Sequence, residues 1–415
     1  MYIKRTLLKA LTEHLENKEI SLVVGPRQAG KTTLLRHLEA ILQERGEKTI
    51  FLNYDLDSDR PFFASQTELV AKIKLAFGES RGYVFLDEIQ RKENAGLFLK
   101  GLYDMNLPYK FIVTGSGSLE LKEKIHESLS GRKRMFILGP VSFGEFVNFR
   151  TDYRFEGKER EFFRVEKEQT RKLVDEYLRF GGYPKVVLAT ALEEKQAAIT
   201  DIYQSYLEKD VAAFLRVEKG DSFSKLLRLL AYQQGQLVNY SELANSVGIS
   251  QETIKRFIWY LEKTFIAERV YPFTRRRREI VKSPVVYFTD LGMVNLACGR
   301  FGQTMDGDVA GLEFQNLVMQ TLKERTVADV GTVNYWRTKG GAEVDFVIDS
   351  GGDPIPIEVK YRDLKEANIP KGMTSFIKKY QPERAVVVNL SYDKEIVAGK
   401  TKVVFVSVGM LVTEG

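Results

Sequence analysis

The sequence predicts an α/β protein in four parts. These are a parallel-sheet domain over residues 1–140, a helical region over 141–220, a winged-helix-like module over 221–282 and a second α/β domain over 283–415. Three observations predict it. Short continuous apolar runs alternate with amphipathic stretches in the first part, the pattern of strands buried on both faces of a parallel sheet with helices between them. The second part reads as helical and is broken once, at Gly181-Gly182-Tyr183-Pro184, because glycine and proline both interrupt helices. From residue 283 onward strand-rich patterning returns.

Composition bounds the class. The chain has 415 residues, 44% of them apolar and 28% charged, ordinary for a globular protein of about two to four domains. Lys plus Arg is 62 and Asp plus Glu is 56, a net charge of +6 that mildly favours a polyanionic partner. Cys298 is the single cysteine, and the three histidines, His14, His37 and His126, form no ligand pair. An intrachain disulfide and Cys-His zinc chemistry are therefore excluded. The N-terminal residues lack a long apolar stretch and no run approaches a membrane span, so the expected location is cytoplasmic, away from the membrane.

In the first domain the expected strands are Ile20–Val24, Ile50–Tyr54, Tyr83–Leu86, Phe111–Val113 and Met135–Leu138. Gly25-Pro26-Arg27-Gln28-Ala29-Gly30-Lys31-Thr32 follows the first of them and fits G-x-x-x-x-G-K-[ST] in full, with Thr33 opening a helix-like stretch. Strand, loop and helix in that order form a phosphate cradle, because unpaired N–H groups and the helix dipole at a helix N-terminus favour an anion. Lys31 is expected on the β- and γ-phosphates of ATP and Thr32 on Mg²⁺. Asp87 and Glu88 follow a four-residue apolar strand, at the strand end where open α/β sheets place their sites. Asp87 is the candidate Mg²⁺ partner and Glu88 the group that polarises the attacking water. Lys110–Ser116 is another buried strand ending in hydroxyls. Thr114 first, and Ser116 second, are candidates to orient the water or sense the γ-phosphate, against the alternative of a plain Ser/Gly turn. Arg132 precedes the last strand and is the candidate arginine finger for a neighbouring subunit's nucleotide, the alternative being a solvated basic loop.

Further on, Tyr240–Val247 predicts a short helix, Gly248 a turn and Ser250 the cap of a third helix. Ile254, Phe257, Ile258 and Leu261 fall at i, i+3, i+4, i+7 and face a core, which turns Gln251, Lys255, Arg256 and Trp259 outward. That spacing suits a helix placed in a DNA groove. Between Tyr271 and Lys282 five basic residues and one acid, Arg275, Arg276, Arg277 and Arg278 among them, lie where a wing would be. They suit phosphate contacts. A wing used for protein packing is the alternative.

In the last part Glu343–Ile348 and Ile355–Lys360 predict a hairpin. Alternation places Glu358 and Lys360 on one face. With Asp345 across from them, two carboxylates and a lysine would form a Mg²⁺ site, and Glu313 on a preceding helix is the candidate third acid.

With those residues in place, the N-terminal region resembles AAA-type ATPases, P-loop NTPases of the AAA+ kind. Nearly the whole chain is similar to the prokaryotic group that pairs such a domain with a C-terminal domain of unknown function 4143. Phe85–Gln90, Val113–Ser116, Leu129–Arg132, Pro140–Phe146, Gly181–Pro184, Tyr206–Asp210, Lys282–Phe288 and Glu343–Phe346, with the phosphate loop, carry the likeness in order. It implies ATP binding and hydrolysis, a helical lid and assembly into a homo-oligomeric ring. The Asp345…Glu358-x-Lys360 spacing resembles the restriction-endonuclease-like core, which occurs both as an active nuclease and as an inactive scaffold. Three functional classes follow: an ATP-driven motor or remodeller of DNA, branched or forked DNA included; an ATP-regulated DNA nuclease; and an ATP switch that binds protein partners only.

Overall fold

The computed structural model describes residues 2–116, 129–207, 220–274, 283–305, 307–329 and 331–413, without the side chains of 326–329. The chain divides into two compact units. One is Met1–Val141 with Gln204–Phe214 and Trp259–Ile266. The other is Ser142–Tyr203, Leu215–Ile258 and Ala267–Gly415.

The first unit is built on β1 (Ile20–Gly25), β2 (Thr49–Asn53), β3 (Gly82–Asp87), β4 (Tyr109–Ser116) and β5 (Lys133–Ile137). They form one parallel sheet in the order β2-β3-β4-β1-β5. Strand alternation sorts the side chains. Ile20, Leu22 and Val24 join a core with Leu69, Ile73 and Phe77 of α3 (Gln66–Phe77) and Phe98, Leu99 and Leu102 of α4 (Ala95–Asp104). Val23 points to the other face, with Leu11 of α1 (Leu7–Glu13) and Leu34, Leu35, Leu38 and Leu42 of α2 (Lys31–Glu44). Both faces are covered, which is why these strands read as unbroken apolar runs. Each fully buried leucine contributes about 2 kcal/mol to this packing.

In the second unit, α5 (Phe143–Arg150) begins with a capping box. Ser142 accepts from the Glu145 N–H at 3.3 Å, and the Ser142 N–H donates to the Glu145 carboxylate at 3.0 Å. Four more helices follow: α6 (Glu159–Val165), α7 (Lys167–Phe180), α8 (Pro184–Leu188) and α9 (Leu192–Ser205). The break between α7 and α8 has a structural cause. The buried Asp290 carboxylate accepts the Gly182 N–H at 2.7 Å and the Met293 N–H at 2.9 Å. A Cβ at Gly181 would lie 2.4 Å from the Gly292 nitrogen. Burial pushes the Asp290 carboxyl up to about 6, against the pull of its backbone donors.

The helix–turn–helix spacing forms as α10 (Gly220–Tyr232), α11 (Tyr240–Val247) and α12 (Gln251–Lys263). Asn239 caps α11, Gly248 turns the chain at φ 81°, and the Ser250 hydroxyl accepts the Thr253 N–H at 3.2 Å. Ile254, Phe257, Ile258 and Leu261 are buried, whereas Gln251, Lys255 and Arg256 are exposed and Trp259 is half-buried.

An eight-stranded sheet in the order β12-β13-β11-β10-β9-β8-β6-β7 completes the unit. Its strands are β6 (Ala267–Pro272), β7 (Val285–Phe288), β8 (Thr332–Arg337), β9 (Glu343–Asp349), β10 (Ile355–Val359), β11 (Arg384–Asn389), β12 (Lys394–Ala398) and β13 (Thr401–Ser407). The sheet crosses the boundary expected at 282/283. β6 lies before that point, pairs antiparallel with β7 and runs parallel beside β8 through Tyr271↔Asn334 and Pro272↔Tyr335. The helices of this region are α13 (Leu291–Ala297), α14 (Gly307–Asp329), α15 (Lys371–Tyr380) and α16 (Val408–Thr413). No helix among the described residues is long and apolar enough to cross a membrane.

Candidate nucleotide-binding site

The phosphate loop leaves the buried end of β1. Gly25 is required there by space, since a Cβ would sit 2.0 Å from the carbonyl oxygen of Leu138. Pro26 and Ala29 are buried, Arg27 is half-buried, and Gln28 is exposed in the left-handed region at φ 59°. Gly30, also left-handed at φ 94°, is the N-cap of α2 and offers no side chain to the first-turn N–H groups. Gln28 and Gly30 thus curl the backbone while α2 begins at Lys31 with its dipole directed at the loop. The buried Lys31 ammonium donates to the carbonyls of Gly25 at 3.1 Å and Pro26 at 2.8 Å. Thr32 and Thr33 are exposed at the start of α2.

Across the sheet from the loop, Asp87 ends β3 with no exposed surface. Its Oδ2 accepts the Thr32 hydroxyl at 2.8 Å and the Asn53 amide at 3.2 Å. Its Oδ1 accepts the Thr114 hydroxyl and, at 3.1 Å, the Glu88 N–H. Parallel register produces this meeting, because Asn53 lies beside Asp87, and Leu86 beside Val113, which sets Thr114 next to Asp87. Glu88 follows in the left-handed region at φ 56°, and its carboxylate accepts the Gln90 side-chain amide. Ser116, paired in register with Gly25, is buried with a hydroxyl that has no hydrogen-bond partner among the described residues. Lys31, Thr32, Asp87, Glu88 and Thr114 therefore come together.

Arg132 does not join them within one chain. It precedes β5, and its carbonyl accepts the Ile20 N–H at 2.9 Å, at the opposite end of β1 from the loop. The length of β1, roughly 17 Å at about 3.3 Å per residue, separates the two. Its guanidinium pairs with Asp104 at 2.8 Å and lies over the Tyr103 ring.

The C-terminal hairpin brings two carboxylates together. β9 and β10 are antiparallel with Ile357 opposite Phe346, so the next position sets Glu358 opposite Asp345. Asp345 accepts the Val359 N–H at 2.7 Å and the Gln315 side-chain amide at 2.8 Å. The Lys360 ammonium is 2.8 Å from Oε1 of Glu358, whose Oε2 is buried without a partner among the described residues. Burial and the Glu358 carboxylate push the Asp345 carboxyl up to about 8; burial also raises Glu358, with Lys360 pulling the other way. The expected third acid departs from this cluster. Glu313 is buried against Arg300 at 2.6 Å, and burial pushes its carboxyl up to about 7. The reason is helical phase: residues two apart on α14 point roughly 200° apart, so Gln315 reaches Asp345 and Glu313 faces away. Among the described residues no group of three or more His, Cys, Asp or Glu side chains is arranged to hold a metal.

Of the basic candidates, Lys255 is exposed and lies 5.5 Å over the Tyr240 ring, and Arg256 is exposed beside it. Arg275, Arg276, Arg277 and Arg278 lie outside the described residues.

Residues 17–147 match the model of an AAA domain, and residues 310–408 that of a domain of unknown function, DUF4143. The chain pairs an AAA domain with a DUF4143 domain. Residues 171–304 between them match another domain of unknown function, DUF8612. An uncharacterized protein of Mycobacterium tuberculosis is 25% identical over 390 residues, 93% of this chain and 79% of that protein. One from Haemophilus influenzae is 23% identical over 412 residues, 96% and 94% of the two chains. One from Methanocaldococcus jannaschii is 26% identical over 393 residues, 88% and 81%. Among solved structures, the Aeropyrum pernix ORC1 protein in complex with DNA matches at 16% identity and TM-score 0.31, over 71% of this chain and 91% of that one. AMPPCP-bound DnaA from Aquifex aeolicus matches at 15% and TM-score 0.28, over 62% and 86%.

The AAA match contains every residue of the phosphate loop as well as Asp87, Glu88, Thr114 and Arg132. The DUF8612 match contains the helix–turn–helix and β6, and the DUF4143 match contains Asp345, Glu358 and Lys360. Sequence reasoning missed four side chains that shape these sites. Asn53 ends β2 beside Asp87, and the strand-end rule that found Asp87 also points to it. Gln90 holds Glu88, and Gln315 holds Asp345. Arg5 lies ahead of the AAA match and reaches the phosphate loop from there.

Proposed function

We propose that this AAA–DUF4143 protein binds ATP with Mg²⁺ at the Gly25–Thr33 loop, hydrolyses it as a homo-oligomer, and uses turnover to remodel DNA. The meeting of Thr32, Asp87, Thr114 and Glu88 beside the loop carries the reading. It brings a hydroxyl and a carboxylate together for a hard cation, and a second carboxylate next to them for water. This oxygen donor set fits Mg²⁺. Thr32 directly, and Asp87, would hold the ion, which when bound offsets charge on the phosphate oxygens. Lys31 and the first-turn N–H groups of α2 bind and orient the β- and γ-phosphates. Glu88 accepts a hydrogen bond from the attacking water and aligns it. Thr114 holds Asp87 and the Glu88 backbone in register, and the Ser116 hydroxyl, without a partner among the described residues, is available to the γ-phosphate.

Arg132 sits at the far end of β1 from the loop, so its charge serves a neighbour's nucleotide in the assembly. Arg132→Ala is expected to lower ATP turnover of the assembled protein by roughly 10³-fold or more while leaving nucleotide binding intact. Full-rate hydrolysis by a strictly monomeric form, seen by light scattering alongside the assay, removes the finger role.

For DNA, the supports are the exposed Lys255 and Arg256 on α12 and the four-arginine run at 275–278. ATP turnover measured against single-stranded, duplex, forked and four-way DNA should rise with DNA, and the stimulation should fall steeply with salt. Absence of nucleic-acid binding at low salt leaves the protein-partner switch. The second reading, an ATP-regulated nuclease, is favoured by the buried Glu358 oxygen beside Asp345, which has no partner among the described residues. The same panel distinguishes it: Mg²⁺-dependent cutting lost in Asp345→Ala but kept in Lys31→Ala would establish a nuclease.

A further inference from the structure

We propose that Arg5 is a positioning residue that presets the phosphate loop and ties it to the strap leaving β5. Arg5 is buried. Its Nη1 donates to the carbonyl of Ala29 at 3.0 Å, and its Nη2 donates to the carbonyls of Gly139 at 2.8 Å and Pro140 at 2.9 Å. In a planar trans peptide the C=O and the following N–H point in opposite directions. A cation fixed on the Ala29 oxygen therefore turns the Gly30 N–H to the other side, toward the phosphates, and polarises that N–H as a donor. Gly30 at φ 94° accommodates the orientation without strain.

The strap touches the loop a second time. The Leu138 carbonyl lies where a Cβ of Gly25 would be, so residues 138–140 brace the loop at its first residue directly and at Ala29 through Arg5. Three carbonyls on one guanidinium call for its rigid fork of donors, which a lysine's single ammonium cannot span. A loop rearrangement on gain or loss of phosphate is thereby felt at Gly139 and Pro140, immediately before the chain passes through Val141 to the cap of α5 at Ser142.

This inference rests on the nucleotide site proposed above, and the experiment separates the two. In Arg5→Met the KM for ATP should rise at least about tenfold with kcat within about threefold, because a preset binding surface contributes equally to ground and transition states. Arg5→Lys should move KM in the same direction. An unchanged KM overturns the proposal, including the case in which only kcat falls through a smaller folded fraction. On the unaltered protein, a non-hydrolysable ATP analogue should slow amide hydrogen exchange at residues 25–33 and also at 3–8 and 138–141. Protection confined to 25–33 overturns the role of Arg5 alone. No protection at 25–33 removes the nucleotide site itself and the proposal with it.

Discussion

Replacing Lys31 by alanine is expected to weaken binding of a fluorescent ATP analogue by roughly a hundredfold, with the thermal unfolding midpoint of the nucleotide-free protein little changed. A hydrogen bond between charged groups contributes about 1.5–3 kcal/mol, and about 2.8 kcal/mol is a factor of a hundred. Lys31 has two tasks. Its ammonium holds the Gly25 and Pro26 carbonyls and so keeps the loop curled, and in the proposed function it supplies the positive charge for the β- and γ-phosphates. Alanine removes both. Arginine at this position should fail as well, because a planar fork does not fit the space of a buried lysine with 6% exposure. Fluorescence titration that gives the same affinity for Lys31→Ala and the unaltered protein would remove the loop from nucleotide binding.

Glu88→Gln should separate binding from chemistry. The amide keeps the size of the carboxylate, so ATP affinity stays within a few-fold, while hydrolysis falls by roughly 10²–10⁴, the span of general-base loss. The surroundings of Glu88 make this a clean substitution: its N–H stays on Asp87 and Thr114 whichever side chain is present. The Gln90 amide, which now donates to Glu88, would meet an amide instead, and only one orientation of the new side chain keeps an acceptor there. Single-turnover hydrolysis at saturating ATP is the measurement. Equal rates for the two proteins would take Glu88 out of the reaction.

Much of this arrangement was legible in the residues because strand ends and helix starts leave local marks. The apolar run Ile20–Val24 became β1 with one added residue, and Tyr240–Val247 and Ser250 became α11 and the cap of α12 where spacing placed them. Lys31, Thr32, Asp87, Glu88 and Thr114 are gathered by parallel register, and register follows from which face each strand buries. Other features had no local mark. Arg5 acts on backbone carbonyls, which every residue carries, so nothing near residue 29 or 139 announces it. On α14, Glu313 and Gln315 differ by two positions, and only the packed phase of the helix decides which faces Asp345. Arg132 was legible as an arginine before a strand, but its separation from the loop depends on the strand order.

The place of β6 has a practical consequence for any attempt to take the molecule apart. A fragment starting at residue 283 would retain β7 and β8 but lack the strand that lies between them. Its sheet would have a gap of one strand, with unpaired backbone groups on either side. A chimera in which two relatives exchanged their C-terminal portions at that seam would instead set one relative's Ala267–Pro272 strand between the other's β7 and β8, unless the donor brought its own strand along.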